Sequence, residues 1–207
     1  MKQNYQLALD KTIAEIQKNG TRPSLLLHAC CAPCSSYVLE YLCEYFQITL
    51  FFYNPNISPR SEYDMRYAEL HRLVREMGLE NTVSFADSDY TPELFFQMAR
   101  GLESLPEGSE RCRKCHALRL DQTARLAAKA GFDYFTTTLS ISPHKNAEWL
   151  NAIGAESAQA HGSQYLFSDF KKRNGYLRSI ELSTKHSLYR QSYCGCIFSK
   201  AQKEQNH

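Results

Sequence analysis

The stretch SLLLHACCAPCSSYVLEYLCEYF, residues 24–46, decides the fold class of this 207-residue chain. Its first part, Leu25–His28, is a short apolar run and predicts a buried strand. The cysteine loop CCAPC follows directly. Apolar residues at helical spacing come next and predict a helix that Ser35 or Ser36 caps. A strand followed at once by a helix is the building unit of a parallel sheet.

The same alternation continues along the chain. Further strands are predicted within ITLFFYNPN (48–56), at Val83–Phe85 and within FDYFTTTLS (132–140). Predicted helices cover residues 62–77, start at Thr91, run from CRKC to about Ala130, and cover 146–160 and 175–186. This pattern predicts an α/β fold with a mostly parallel sheet, helices on both faces and right-handed crossovers. We therefore expect the loops CCAPC, YNPN and TTTLSIS to meet at the carboxyl edge of the sheet.

Length and composition predict one globular domain, because 43% of the residues are apolar and 22% are charged. We expect an N-terminal helix over 1–20, a core over 21–199 and a polar tail over 200–207. The net charge of +2 excludes a polycation and a strongly acidic tail protein. No apolar run reaches the roughly 18 residues of a membrane helix, and the N-terminus lacks the apolar stretch of a signal peptide. The sequence therefore predicts a cytoplasmic protein that does not bind membranes.

The unusual feature is eight cysteines, of which seven fall into the groups CCAPC (30–34), CRKC (112–115) and CGC (194–196). Disulfide frameworks belong to small secreted chains, so grouped thiols here favour metal binding, with structural or redox thiols as the alternative. Thiolates suit zinc, copper(I) and iron–sulfur clusters. Because one structural zinc needs four ligands, seven thiols suggest two metal centres, or one cluster with a reactive thiol set. Cys43 is expected in the core.

Positive charge concentrates in the last part of the sequence. Residues 165–207 contain eight Lys and Arg against three acidic residues. These side chains could neutralise nucleic-acid phosphates, although KKR is equally consistent with a solvated helix start. The candidate RNA contacts are Lys171, Lys172, Arg173 and Arg190.

Six motifs in order resemble the epoxyqueuosine reductases of the QueH type. They are CCAPC, YNPNISPRSEYDMR, RCRKCHALRL, TTTLSISPHKN, SDFKKRNGY and LYRQSYCGCIFS, and they extend from about Leu25 to Ser199. The resemblance implies a Rossmann-like fold related to the adenine-nucleotide alpha-hydrolase (HUP) group. It implies reduction of epoxyqueuosine to queuosine at the tRNA wobble position, the last step of queuosine biosynthesis. It also implies a [4Fe–4S] cluster, a second iron, no cobalamin and a separate, unidentified electron donor.

The resemblance further implies roles for the seven cysteines. The cluster ligands would be Cys30, Cys31, Cys112 and Cys115. The second iron, expected to be catalytic, would be held by Cys34, Cys194 and Cys196. Neighbouring side chains often diverge, so a division in which Cys30 and Cys31 each serve one metal stays open. Some relatives have aspartate at the position of Cys34, so a thiolate here would make the second iron softer.

Polar residues at the strand ends are candidates for binding the ribose and cyclopentene hydroxyls of the substrate. They are Asn54, Asn56, Thr137 and Ser142. A structural interpretation stays open, because asparagine before proline forms turns and threonine favours strands. Tyr193, His28 and His116 adjoin the cysteine groups, and residues in such positions are usually hydrogen-bond partners or core residues. We assign no catalytic role to these three.

Two other functions fit parts of the sequence. A HUP-type tRNA thiolation enzyme would hold pyrophosphate in a glycine-rich loop. This chain has HACCAPCSS at that place, which cannot form such a cradle, so no use of ATP is expected. A non-catalytic, zinc-stabilised RNA-binding module would be colourless and would bind tRNA with or without the epoxide.

Overall fold

The computed structural model describes residues 3–205 and is built on a parallel sheet. Its strands are β1 (Ser24–His28), β2 (Gln47–Phe51), β3 (Val83–Ala86) and β4 (Tyr134–Thr137). The strand order β3-β2-β1-β4 is that of the first four strands of a Rossmann fold. The predicted α/β class and parallel sheet are therefore confirmed. Because β1 pairs with both β2 and β4, the loop after β1 lies in the middle of the carboxyl edge.

Helices flank this sheet. They are α1 (Tyr5–Asn19), α2 (Ala32–Leu42), α3 (Arg60–Glu76), α4 (Pro92–Ala99), α5 (Glu110–Ala130), α6 (Ala147–His161), α7 (Gly175–Lys185) and α8 (Ile197–Gln205). Within the described residues, no helix is long and apolar enough to cross a membrane.

The apolar run of β1 is explained by burial on both faces. Leu25 and Leu27 pack in the large core cluster that α1, α2 and α3 help to form. Leu26 points the other way and packs in a second cluster with Ala124 of α5 and Ala158 of α6. A strand covered on both faces has no polar alternation, as is typical of parallel sheets.

Helix α2 begins earlier than predicted. Cys31 occupies its N-cap position and Pro33 lies in the first turn, where proline costs no hydrogen bond. The predicted caps are wrong, because Ser35 and Ser36 lie inside the helix and donate to the carbonyls of Cys31 and Pro33. As a result Cys34 belongs to the first helical turn.

Two other boundaries differ from the prediction. The strand predicted over 132–140 stops at Thr137, and residues Thr138–Ile141 form a 3-10 turn, because the Thr137 hydroxyl accepts a bond from the amide of Leu139. The expected tail 200–207 is helical as far as Gln205, as part of α8. Residues 1–2 of the expected N-terminal helix and residues 206–207 lie outside the described part of the chain.

Candidate metal centre

The first thiol group lies at the start of α2. Cys30, Cys31 and Cys34 place their Sγ atoms within 4.8 Å of one another, and the Cys30 and Cys31 sulfurs are 3.8 Å apart. Cys31 is the N-cap and Cys34 lies three residues further on, which is the spacing at which side chains meet at a helix start. These three thiols can therefore hold one metal ion. We call them the three-thiol group.

The other four grouped thiols, those of CRKC and CGC, line a second and smaller cavity. Cys112 and Cys115 project from the same face of α5, because they are three residues apart. Cys194 and Cys196 reach the cavity from the segment before α8. Cys115 and Cys196 pack with Phe95 of α4 in an apolar cluster. Four cysteines around one space match the ligand set of a [4Fe–4S] cluster. We call this space the four-thiol cavity.

Gly195 allows the CGC segment to take this position. Its φ angle is +126°, and a Cβ atom there would lie 3.0 Å from Ile57 and 3.1 Å from Arg66. The Gly195 carbonyl accepts a 2.9 Å bond from the amide of Ser58, and the Cys194 carbonyl accepts a 3.1 Å bond from Arg66 Nη1. A side chain at this position would strain the backbone and push the segment off α3.

This grouping differs from the expected one. The expected cluster set joined Cys30 and Cys31 to the CRKC pair, and the expected second set joined Cys34 to the CGC pair. In the structure Cys34 instead lies with Cys30 and Cys31. The reason is that α2 starts immediately after Cys31, which places Cys34 in its first turn. The adjacent thiols converge rather than diverge. Cys194 lines the four-thiol cavity and also a larger, open cleft, which Cys30 and Cys34 line as well. The two thiol groups are therefore neighbours.

Buried cations face the thiols. Arg119 is 2% exposed and lines both the cleft and the four-thiol cavity. Its Nε donates to the Cys115 carbonyl and its Nη1 donates to Asn54 Oδ1, each over 3.3 Å. Lys145 places Nζ 3.1 Å from Cys194 Sγ and 3.2 Å from Glu107 Oε1. Burial lowers the pKa of Lys145, but Cys194 and Glu107 outweigh burial and raise it. The site therefore carries fixed positive charge.

The thiols of the three-thiol group differ in acidity because they hydrogen-bond one another. The bond with Cys31, together with burial, raises the pKa of Cys30 to about 11. Bonds from Cys30 and Cys34 lower the pKa of Cys31, and Gln191 Nε2 donates to the same sulfur over 3.0 Å. The hydrogen bonds within the group therefore lower the pKa of Cys31 and raise those of Cys30 and Cys34. Binding of a metal would release the protons of these thiols.

The four-thiol cavity contains the buried donors that an anionic cluster would need. Among the described residues, eight buried side-chain polar atoms have no hydrogen-bond partner, and five belong to residues that line this cavity. Four of them are nitrogen atoms: Arg111 Nε and Nη2, His116 Nδ1 and Arg119 Nη2. Unpaired buried polar groups are costly, and the sulfurs of a cluster accept hydrogen bonds. The donor set therefore fits a [4Fe–4S] group.

The open cleft has a volume of about 560 Å³ and lies over the three-thiol group. Cys30 and Cys34 form part of its lining, and Tyr176 and Arg190 line it as well. A cleft of this size, with several polar groups converging on it, is typical of a small-molecule or nucleotide site.

The expected substrate-binding residues separate into two kinds. Ser142 and Asn54 line the cleft, but Asn54 is buried and spends its amide on the Ala29 carbonyl and on Arg119. Asn56 lines the four-thiol cavity. Thr137 lies in neither space among the described cavities; its hydroxyl is 2.9 Å from His28 Nδ1 in the core. The Thr137 hydroxyl therefore forms its hydrogen bonds within the protein, with His28 and with the amide of Leu139.

The basic candidates also separate. Arg190 lines the cleft, whereas Lys171, Lys172 and Arg173 line a second, neighbouring groove. Arg119 lines both spaces, although no cysteine motif marks it in the sequence as a site residue. It stands four residues after Cys115 on α5, and this spacing places it on the face that carries the thiols.

The fold and the site together define an α/β protein with a cysteine-rich site that could hold a metal at the carboxyl edge of its sheet. A family model described as "Epoxyqueuosine reductase QueH" matches residues 25–202. Proteins named epoxyqueuosine reductase QueH are also similar to this chain over most of its length. The one from Streptococcus pyogenes serotype M1 is 45% identical over 95% of this chain and 78% of its own length. The one from Staphylococcus epidermidis is 42% identical over 95% and 84%, and the one from Thermotoga maritima is 34% identical over 89% and 94%. The chain belongs to the QueH family, as its motifs predicted.

Proposed function

We propose that this protein reduces epoxyqueuosine to queuosine at the wobble position of tRNA. The observation that carries the proposal is the pair of adjacent thiol groups beside one substrate-sized cleft, linked through Cys194. Conversion of the epoxide to an alkene with loss of water consumes two electrons and two protons. Such a reaction needs an electron-transferring group next to the place where the epoxide binds.

The geometry favours one division of the cysteines over the expected one. Cys112, Cys115, Cys194 and Cys196 would hold the [4Fe–4S] cluster. Cys30, Cys31 and Cys34 would hold the second iron at the base of the cleft. When bound, the cluster supplies electrons one at a time and an iron with an open position supplies Lewis acidity.

The residues of the cleft provide a fixed electrostatic environment for this reaction. Lys145 keeps a proton on Nζ, because Cys194 and Glu107 raise its pKa. Arg119 adds a second buried positive charge. Preorganised cations stabilise the negative charge that develops on an oxygen atom as an epoxide opens. Ser142 and Arg190 on the lining are suited to hold the hydroxyls and a phosphate of the substrate nucleotide.

The proposed reaction uses neither cobalamin nor ATP. Its partners are tRNA that carries epoxyqueuosine and a separate electron donor, and we expect it to take place in the cytoplasm. The printed names of the relatives support the reaction, and the polar cleft at the sheet edge supports a nucleotide as the substrate.

The experiment combines metal analysis with turnover on protein purified without oxygen. We expect a broad absorbance near ~400 nm and more than four irons per chain. Cys112→Ala should lose this absorbance. Cys34→Ala should keep it but lose the additional iron and the reduction of epoxyqueuosine in tRNA. Cys34→Asp should restore both, because a carboxylate also binds iron. Cys43→Ala is the matched control, because Cys43 lies at the C-terminal end of α2, whereas Cys31 and Cys34 lie at its start.

Two results would contradict the proposal. A colourless protein that contains only zinc would favour an RNA-binding module. Loss of the absorbance in Cys34→Ala would place Cys34 among the ligands of the cluster and overturn the division into three and four thiols.

A further inference from the structure

A second groove lies beside the cleft and has a volume of about 850 Å³. It is bounded by residues 3–6 at the start of α1, residues 143–148 before and at the start of α6, and residues 169–173 before α7. His144 and Lys145 line both this groove and the cleft. The two spaces therefore share a wall, and a chain molecule could extend from one into the other.

The charge of the groove is positive. Four cationic side chains line it, against the two acidic side chains of Glu148 and Asp169. Lys171 is held by Asp169 at 2.8 Å and Arg173 by Asp10 at 2.6 Å, so these two cations have defined positions at the rim. Lys172 is exposed and forms no salt bridge with any residue in the described part of the chain. It is the cation most available to a ligand.

An aromatic side chain accompanies these charges. Tyr5 lines the groove, is half-buried, and stacks on Phe167 with a centroid distance of 6.2 Å. Aromatic rings combined with lysine and arginine are what single-stranded nucleic acid requires, because bases stack on the rings while cations neutralise the phosphates.

We propose that this groove binds the RNA backbone of the nucleotides next to the one in the cleft. The inference rests on the proposed function, because it takes the cleft as the place of the modified nucleotide. That nucleotide is covalently joined to its neighbours, so the strand has to leave the cleft along its rim. His144 and Lys145 form a polar wall that the cleft and the groove share, and Lys172 is part of the lining of the groove.

The test measures binding of epoxyqueuosine-containing tRNA to the metal-loaded enzyme over a range of salt concentrations. We expect Lys172→Ala to weaken binding roughly three- to tenfold at low salt. The slope of log affinity against log salt should fall by about 0.7, the value for one single-stranded phosphate contact. Lys172→Arg should retain both values, because arginine keeps the positive charge.

Lys129→Ala is the matched control. Lys129 is exposed in the last turn of α5, which leads into the start of β4 and so lies at the opposite edge of the sheet. Its loss should leave affinity and salt slope as in the wild type.

The results separate the inference from the proposed function. If Lys172→Ala matches the wild type in affinity and slope, the groove does not bind the RNA and the inference is overturned. If Lys172→Ala weakens binding while the wild-type enzyme binds tRNA without reducing it, the groove stands and the proposed reaction fails.

Discussion

Lys145 Nζ lies 3.1 Å from Cys194 Sγ, and its side chain is 9% exposed. Cys194 lines both the cleft and the four-thiol cavity, so this ammonium group lies where the two spaces meet. A buried cation in contact with a thiolate ligand stabilises the more negative, reduced state of a cluster.

We therefore expect Lys145→Gln to lower the reduction potential of the cluster by an amount on the order of tens of millivolts. Lys145→Arg keeps the charge and should stay near the wild-type value. A redox titration followed by electron paramagnetic resonance measures this, and Lys129→Gln is a control for loss of a distant charge. An unchanged midpoint in Lys145→Gln would mean that Cys194 does not serve the cluster.

Arg119 should matter more to the loaded protein than to the metal-free protein. Among the described residues it has no carboxylate partner, and its Nη2 atom is unpaired. In the metal-free state, Arg119→Met removes a poorly compensated buried charge and should be close to neutral for stability. In the loaded state it removes the counter-charge of an anionic cluster and should cost about 3 kcal/mol. Thermal unfolding of both states measures this difference. Equal losses in the two states would make Arg119 a purely structural residue.

Stability should depend on pH through His28. The ring is fully buried between the Thr137 hydroxyl and the Tyr53 carbonyl, and burial, with Arg119, lowers its pKa to about 3. The imidazole of His28 takes up a proton near pH 6.5 in the unfolded chain but only near pH 3 in the folded protein. Above pH 6.5 the ring is neutral in both states, so its burial does not reduce the free energy of unfolding. As the pH falls from 6.5 towards 3, only the unfolded chain binds the proton, and the free energy of unfolding decreases progressively. Between about pH 7.5 and pH 5, the wild type should lose about 2 kcal/mol more than His28→Gln does.

Urea unfolding of the metal-free proteins at the two pH values checks this prediction. The comparison between wild type and variant cancels the other groups that titrate in both. Parallel pH dependence in the two proteins would mean that the imidazole of His28 becomes protonated inside the folded protein.

Gly154→Ala should destabilise the protein although alanine favours helices. Gly154 lies within α6, where the change alone would stabilise by about 1 kcal/mol. The added Cβ atom would lie 2.4 Å from the ring of Tyr165, which is 5% exposed and cannot move out of the way without opening the core. Overpacking of this kind costs about 1–3 kcal/mol, so the net change in unfolding free energy should be a loss. Chemical denaturation measures it, and a gain in stability would show that Tyr165 can repack.

The sequence was sufficient to predict the strands, because β1 is apolar on both faces and ends directly at the cysteine loop. The meeting of CCAPC and the strand ends at one edge followed from the topology of parallel sheets. The grouping of the thiols did not follow. It depends on where α2 starts and on the angle at which Gly195 turns the CGC segment, and neither is encoded in cysteine spacing.

The role of Asn54 was also beyond the sequence. An asparagine after a strand is equally suited to a substrate or to the protein's own backbone. Only the structure shows its amide bonded to Ala29 and Arg119. The burial of three arginine side chains could not be predicted from the sequence either. Arginine is rarely buried, so Arg66, Arg111 and Arg119 resemble surface residues until their thiol neighbours are known.

The position of Cys194 and Cys196 has a consequence for the biogenesis of the protein. The ribosome delivers Cys112 and Cys115 about eighty residues before the thiols that complete their cavity. The CGC segment is held by hydrogen bonds from Arg66 and Ser58, which are synthesised more than a hundred residues earlier. A metal group bound by all four thiols of this cavity could therefore assemble only after residues 194–196 have been synthesised. A nascent protein therefore exposes the CRKC pair before the CGC pair exists, and all four thiols could bind one metal group only after Cys196 has folded into place.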